Sequence, residues 1–241
     1  MKLTFLGTSH GVPEHDRRCA CQMLEINGKY YFIDMGTMAM EDLRRRGISF
    51  DDVKLIACTH RHGDHTDGVI GYVDLASWYF KTAPTTVLLP DQALIDAIRM
   101  WLDATDSNGG EFSDALDVRV YEDGMIYEDE NVKITAYPTM HCENSHAFLV
   151  EAEGKKILFT GDYKGPDRDF PDMTGIPLDL IVSESAHFSQ DKAVKLFDTL
   201  DVKRVLINHV APGNHETLAR LVRQPHPYQY GVSFDGLEIN L

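Results

Sequence analysis

The sequence predicts an α/β protein in which two mixed β-sheets pack face to face, with helices on their outer faces. Two observations support this class. Apolar or alternating runs of strand length recur along the whole chain, and helical patterns are interleaved with them in two halves. A third observation bears on organisation: no linker, low-complexity tract or repeat period interrupts these runs. Residues 1–241 are therefore read as one domain.

Residues 2–7 (KLTFLG), 21–26 (CQMLEI) and 30–36 (YYFIDMG) read as consecutive strands, with Asn27-Gly28 as a hairpin turn. Residues 38–47 read as a helix closed by Gly47, whose freedom at positive φ suits a helix end. VKLIACTH (53–60) is a buried strand. The run 66–80 reads as a helix despite two glycines, with Asp67 available to cap it. Residues 85–90 form a strand, and Asp91 opens a helix to residue 104. Residues 105–117 are loop-like. Strands follow at 118–122, 132–141, 146–162 (a hairpin turning near Glu153-Gly154) and 178–185. A helix at 190–200 leads to the strand RVLINHV (204–210), a helix beginning near Asn214, and a β-like tail.

The charge balance bears on partners. The chain carries 38 acids against 23 bases, a net charge of −15, which repels nucleic acid unless a basic patch overrides it. The best basic run, Arg44-Arg45-Arg46, reads as a solvated helix end. Nucleic acid is thus disfavoured as a partner, and a small-molecule substrate is expected. No apolar run approaches the roughly 18–20 residues that span a bilayer, so no membrane association is expected. The opening MKLTFLGTSHGVP lacks signal-peptide features and reads as the first strand of a cytoplasmic protein. The four cysteines form no CxxC pair and suggest no disulfide framework. The aromatics Trp78–Phe80 and Trp101 are assigned to the core by default, and the sequence specifies no oligomeric state.

The stretch ACTHRHGDHTDGV concentrates His60, His62, Asp64, His65 and Asp67 after an apolar run. Three later strands end in the same way: TAYPTMH in His141, ILFTGD in Asp162 and VLINH in His209. Each apolar run buries a strand and delivers one metal-competent side chain at its tip. Neutral imidazole and carboxylate are good ligands for divalent transition metals. His60 and His62, two apart in extended chain, face one side, while Asp64 and His65 on the following turn point to a second location. Seven ligands with one shared carboxylate supply two metals, each with an open position.

THRHGDH resembles the H-x-H-x-D-H signature of the metallo-β-lactamase superfamily, and His141, Asp162 and His209 match its remaining ligands in order. The resemblance implies an αββα sandwich. It implies that His60, His62 and His141 hold one metal, that Asp64, His65 and His209 hold the other, and that Asp162 bridges. It also implies that Asp34, in YYFIDMG, orients a ligand histidine. The expected cofactors are two divalent ions, zinc first, with manganese or iron as alternatives.

LGTSHGVP is similar to the LGTG-x-x-x-P opening of the tRNA 3′-processing endonucleases and their relatives, the cyclic phosphodiesterases of phosphonate breakdown. Three departures from those enzymes matter. Where the endonucleases carry a HEAT-like motif, this chain has SESAHF (183–188), with Ser183 in place of the histidine, Glu184 kept and His187 three residues on. No Gly/Pro-rich tRNA-gripping arm is visible. Cys19 and Cys21 match two ligands of the structural zinc of the cyclic phosphodiesterases, but no third cysteine follows.

The expected activity is hydrolysis of a small phosphodiester, cyclic esters included, by a hydroxide held between the metals. Asp64 would accept the proton of the nucleophile, and His187 would protonate the leaving oxygen. His215 is a weaker candidate acid. His10, His15, His146 and His226 are read as surface or local structure, with His10 near enough in the N-terminal loop to touch substrate. A lactonase or thioesterase using the same metals is the alternative, and a non-catalytic metal-dependent binding protein the distant one.

Overall fold

The structure, a computed structural model, describes residues 1–241. One sheet contains β1 (Lys2–Gly7), β2 (Cys21–Ile26), β3 (Lys29–Met35), β4 (Val53–Ala57), β5 (Thr86–Leu89), β6 (Asp117–Val120) and, from the far end of the chain, β14 (Glu238–Asn240). The other contains β7 (Gly124–Glu128), β8 (Lys133–Thr139), β9 (Ser145–Ala152), β10 (Lys155–Phe159), β11 (Leu180–Ser183), β12 (Arg204–Ile207) and β13 (Gln229–Val232). The orders are β14-β1-β2-β3-β4-β5-β6 and β13-β12-β11-β10-β9-β8-β7. In both sheets three antiparallel pairings are followed by three parallel ones. The two halves thus share one pairing pattern, and β14 completes the first sheet from the opposite end of the chain.

Period-2 alternation explains the layers. In β2 and β3, Leu24, Ile26, Tyr31 and Ile33 face the second sheet and meet Ile134, Phe148, Val150, Ile157 and Phe159. The intervening Met23 and Phe32 face outward, as does Met35 after the positive-φ residue Asp34 breaks the alternation, against the helices α1 (Met40–Arg45), α2 (Gly63–Trp78) and α3 (Gln92–Ala104). The outer face of the second sheet is covered by α4 (Gln190–Phe197) and α5 (His215–Val222), through Ala193, Phe197 and Leu218. This is the αββα sandwich expected. No helix is long and apolar enough to cross a membrane.

Asp91 caps α3 as expected, accepting from the Leu94 N–H at 3.2 Å. Four local readings are corrected. The helix α2 starts at Gly63 rather than Thr66, with His62 as its extended N-cap, so Asp64 and His65 stand in its first turn. Asp67 lies inside that helix and is not its cap. Residues 124–128 form β7, a half-exposed edge strand whose mixed burial hid it. Trp78, Tyr79 and Trp101 are 49–65 % exposed rather than core; at Trp101 the reason is that Ile95, Ile98 and Leu102 fill the inner face of α3. Only Phe80 of that group packs inward, stacked on Phe50 at 4.1 Å between centroids.

In each sheet the parallel strands run the same way, so their carboxyl ends share one edge, where open α/β sheets place their ligands. Close backbone approaches hold the loops there. A Cβ added at Gly36, just after β3, would lie 1.7 Å from the Asp64 carbonyl oxygen. Gly36 therefore lets the β3 loop press directly on the first turn of α2. Gly36→Ala is expected to lower unfolding free energy by at least about 1–3 kcal/mol, the usual cost of forced overpacking. Urea denaturation checks this, and wild-type stability would contradict it.

Candidate metal centre

Eight side chains arrive at this edge. Asp34 ends β3, His60 follows β4, and His62, Asp64 and His65 open α2. His141 follows β8, Asp162 follows β10 and His209 follows β12. Asp34 and His209 have positive φ, 58° and 49°, in the region L-residues rarely adopt. Such backbone persists only where its surroundings over-determine it. At Gly161, φ is 53° and a Cβ would sit 2.7 Å from the His146 carbonyl oxygen, so only glycine sets Asp162 in place.

The seven residues other than Asp34 that were singled out as metal ligands come together. His62 Nδ1 lies 3.1 Å from both His60 Nε2 and His141 Nε2. Asp162 Oδ2 lies 3.8 Å from His60 Nε2 and 3.6 Å from His141 Nε2. On the other side, Asp64 Oδ2 lies 3.3 Å from His65 Nε2 and 3.1 Å from His209 Nε2. Asp162 Oδ1 lies 3.6 Å from each of those two nitrogens. A tetrahedral ion bonded at about 2.0–2.1 Å has ligand–ligand edges of roughly 3.3–3.4 Å. Both quartets match that spacing, and the two oxygens of Asp162 divide between them.

The polar bookkeeping points the same way. His65 Nε2 and Asp162 Oδ1 are buried without any hydrogen-bond partner in the protein. Unpaired buried polar atoms are rare because they forfeit hydration. A cation among them removes the deficit, so the donor set fits divalent metal.

Asp34 sets two of the imidazoles. It accepts from His65 Nδ1 at 2.8 Å, and from the Thr59 backbone N–H and hydroxyl at 2.7 and 3.0 Å. With the Thr59 hydroxyl donating to Asp34, its oxygen accepts from His60 Nδ1 at 3.2 Å. Both rings are thereby protonated on Nδ1, and each turns its Nε2 lone pair into the cluster. Thr59 was not singled out in the sequence; only its position between Cys58 and His60 marked it.

Electrostatics follow burial and neighbours. Burial pushes His60 well below the usual histidine range, so that it is neutral, and pushes His141 down to about 4. Burial would raise Asp64, but the facing His209 and His65 overcome it and hold the carboxylate ionised. Asp162 is likewise held low despite burial, chiefly by His209 and His65. Burial opposes protonation of His65, yet Asp34 and Asp162 raise it.

His187 flanks the cluster, its ring 4.5 Å from that of His141. Its Nδ1 is held at 2.8 Å by buried Glu184. Glu184 is itself saturated: Oε1 accepts from the Tyr163 N–H, and Oε2 from the Ala186 and His187 N–H groups. That saturation makes Glu184 an anchor rather than a ligand, although it lies within ligand distance of Asp162 and His209. The hydrogen bond to Glu184 raises His187, against the effect of its burial.

A cleft of about 360 Å3 opens above the cluster, with His10, Gly11 and His187 on its rim. His10 pairs with Glu14 at 3.1 Å. The remaining histidines lie elsewhere: His15 is exposed, His146 binds Asp123, His226 contacts the Leu221 carbonyl, and His215 opens α5 exposed to solvent. Cys19 and Cys21 belong to none of the clustered ligand groups, and Cys21 is core.

Fold and ligand constellation together define a protein of the metallo-β-lactamase superfamily, on the branch that includes ribonuclease Z and PhnP. The family model described as Anti-Pycsar protein Apyc1 matches residues 1–210, and the chain belongs to that family. It is similar to a ribonuclease Z of Exiguobacterium sp., 30 % identical over 163 residues, covering 67 % of this chain and 52 % of that one. The chain thus spans about half the length of that relative. The metallo-beta-lactamase fold protein YhfI from Bacillus subtilis superposes with a TM-score of 0.78 at 15 % identity, covering 99 % of this chain and 98 % of that one. A diphosphatase from the PhnP family superposes with a TM-score of 0.72 at 20 % identity, covering 100 % and 97 %. At these identities the likeness is one of fold.

Replacing Asp34 by alanine releases Thr59 and His65 together. Zinc affinity is expected to fall about 10–100-fold, as when other ligand-orienting groups are lost. Chelator competition measures it, and undiminished affinity would contradict the role given to Asp34. His60→Ala should weaken one metal position and Asp162→Ala both. Full metal content in the Asp162 variant would rule out a shared carboxylate.

Proposed function

We propose that this protein is a metal-dependent phosphodiesterase acting on a small phosphodiester, cyclic esters included. His60, His62, His141 and Asp162 would hold one divalent ion, zinc first, and Asp64, His65, His209 and Asp162 a second. The observation that carries this reading is the division of the Asp162 oxygens between two ligand quartets, beneath a cleft bordered by an anchored histidine. When bound, such ions lower the pKa of water towards roughly 7 and offset charge on phosphoryl oxygens.

The protein groups then have separate tasks. Asp64 uses Oδ2 towards His65 and His209, and its Oδ1 has no protein partner, so that oxygen is free to receive a proton from attacking water. His187, with Nδ1 committed to Glu184, has Nε2 left to protonate the leaving oxygen. His10 and Gly11 on the rim bound the substrate from the N-terminal side.

A small substrate is supported by the charge of −15 and by residues 63–104, which fold as α2, β5 and α3 against the sheet. The ribonuclease Z relatives make an RNA phosphodiester the second substrate to test. The discriminating experiment sets a chromogenic phosphodiester and cyclic phosphodiesters beside a tRNA precursor, a lactone and a thioester. Turnover of small phosphodiesters is expected; turnover of the carbonyl substrates alone would contradict the proposal. His187→Ala is expected to cut turnover about 10²–10⁴-fold, the usual contribution of general acid–base catalysis, while metal content is kept. Unchanged rates would remove His187 from the chemistry.

A further inference from the structure

Three of the clustered histidines are buried: His60, His65 and His209. Thr59 fixes Nδ1 of the first and Asp34 fixes Nδ1 of the second. The third differs. His209 turns Nε2 towards Asp64, and its Nδ1 is buried with no partner in the protein. A buried N–H left unmade is costly, and here it would leave the ring tautomer unspecified.

On the core side of the cluster lies a small cavity of about 20 Å3, lined among others by His209, Asn208, Gln22 and Thr160. Its lining includes His65 and Asp162 at the cluster end and descends to Phe159 and Val182, away from Asp64, so it backs onto the cluster from the side of the inter-sheet layer. One water needs roughly 10–15 Å3 of such space and two to four polar partners.

Two amides border it in an otherwise apolar layer. Gln22 shares a face of β2 with Leu24 and Ile26, and Asn208 follows β12 on the side of Leu206. Both are buried. With its amide nitrogen donating to the Ile33 carbonyl at 3.0 Å, Gln22 accepts from Asn208 Nδ2 at 2.9 Å. Asn208 Oδ1 accepts from Ser233 Oγ at 2.8 Å. This string joins the two sheets directly beneath the cluster. Apolar side chains there would avoid the desolvation of two amides, so packing alone does not account for them.

We propose that the cavity holds one resident water that accepts a hydrogen bond from His209 Nδ1, and that Gln22 and Asn208 are positioning residues that hold this water. The water does for His209 what Asp34 does for His65. It keeps the proton on Nδ1 and the Nε2 lone pair turned towards Asp64 and Asp162. The inference rests on the reading of His209 as a metal ligand.

Long-range 1H–15N NMR of zinc-loaded, 15N-histidine protein reads the tautomer directly. The expected result is His209 protonated at Nδ1, and a crystal structure of the same species should show one water within about 3.2 Å of that atom. An unprotonated Nδ1, or a dry cavity with two zinc ions bound, would overturn the inference alone. Failure of the wild-type protein to bind a second zinc would overturn it together with the ligand reading. Gln22→Met keeps side-chain length without the amide. It should weaken one of the two zinc positions about 10–100-fold in chelator competition while sparing the other. Unchanged affinity at both, in a variant with a cooperative thermal melt, would refute it. Should that variant not fold, the NMR and crystallographic results on the wild type decide.

Discussion

The structure depends on the burial of one carboxylate. Asp162 is 3 % exposed, ringed by imidazoles from β4, α2, β8 and β12, and one of its oxygens has no hydrogen-bond partner. An unpaired buried charge is among the most costly features a fold can contain. Here it is tolerable because the surrounding groups are arranged for cations. Burial lowers His60 and His141, and it would raise Asp162 and Asp64 but for the histidines that face those carboxylates and outweigh it.

The scaffold makes that arrangement possible. Two sheets with the same pairing pattern present the carboxyl ends of β3, β4, β10, β11 and β12 along one edge, and β8, running with β10, joins them. The inter-sheet layer below is largely apolar except near the cluster, where Gln22 and Asn208 replace hydrocarbon. Two residues at the same level, Asp34 and His209, have strained positive-φ backbone, and rigid strands on either side hold it.

What the sequence revealed, and what it concealed, follows from range. Strands ending in His60, His141, Asp162 and His209 were legible because a buried run followed by a metal-competent residue is a local pattern. The start of α2 was misplaced because His62 and Gly63 carry no capping signal. The turn forms anyway, with the Thr66 hydroxyl donating to the His62 carbonyl at 3.0 Å. The strand β7 escaped notice because its partner β8 covers only one edge and its side chains alternate weakly. Exposure of Trp78, Tyr79 and Trp101 is set by which helix faces the sheet turns inward, a tertiary fact. The Thr59 relay and the saturation of Glu184 depend on side chains remote in sequence, so no motif could announce them.

The chemistry assigned to the cleft adds few demands to this frame: a general acid anchored through Glu184, a free oxygen on Asp64, and a rim formed by the N-terminal loop. All of them presuppose two cations flanking Asp162. Anomalous diffraction from a crystal of the metal-loaded protein, recorded on both sides of the metal absorption edge, tests this most directly. The account predicts two peaks, one among His60, His62 and His141 and one among Asp64, His65 and His209, each within bonding distance of a different Asp162 oxygen. A single peak, or peaks away from Asp162, would contradict it.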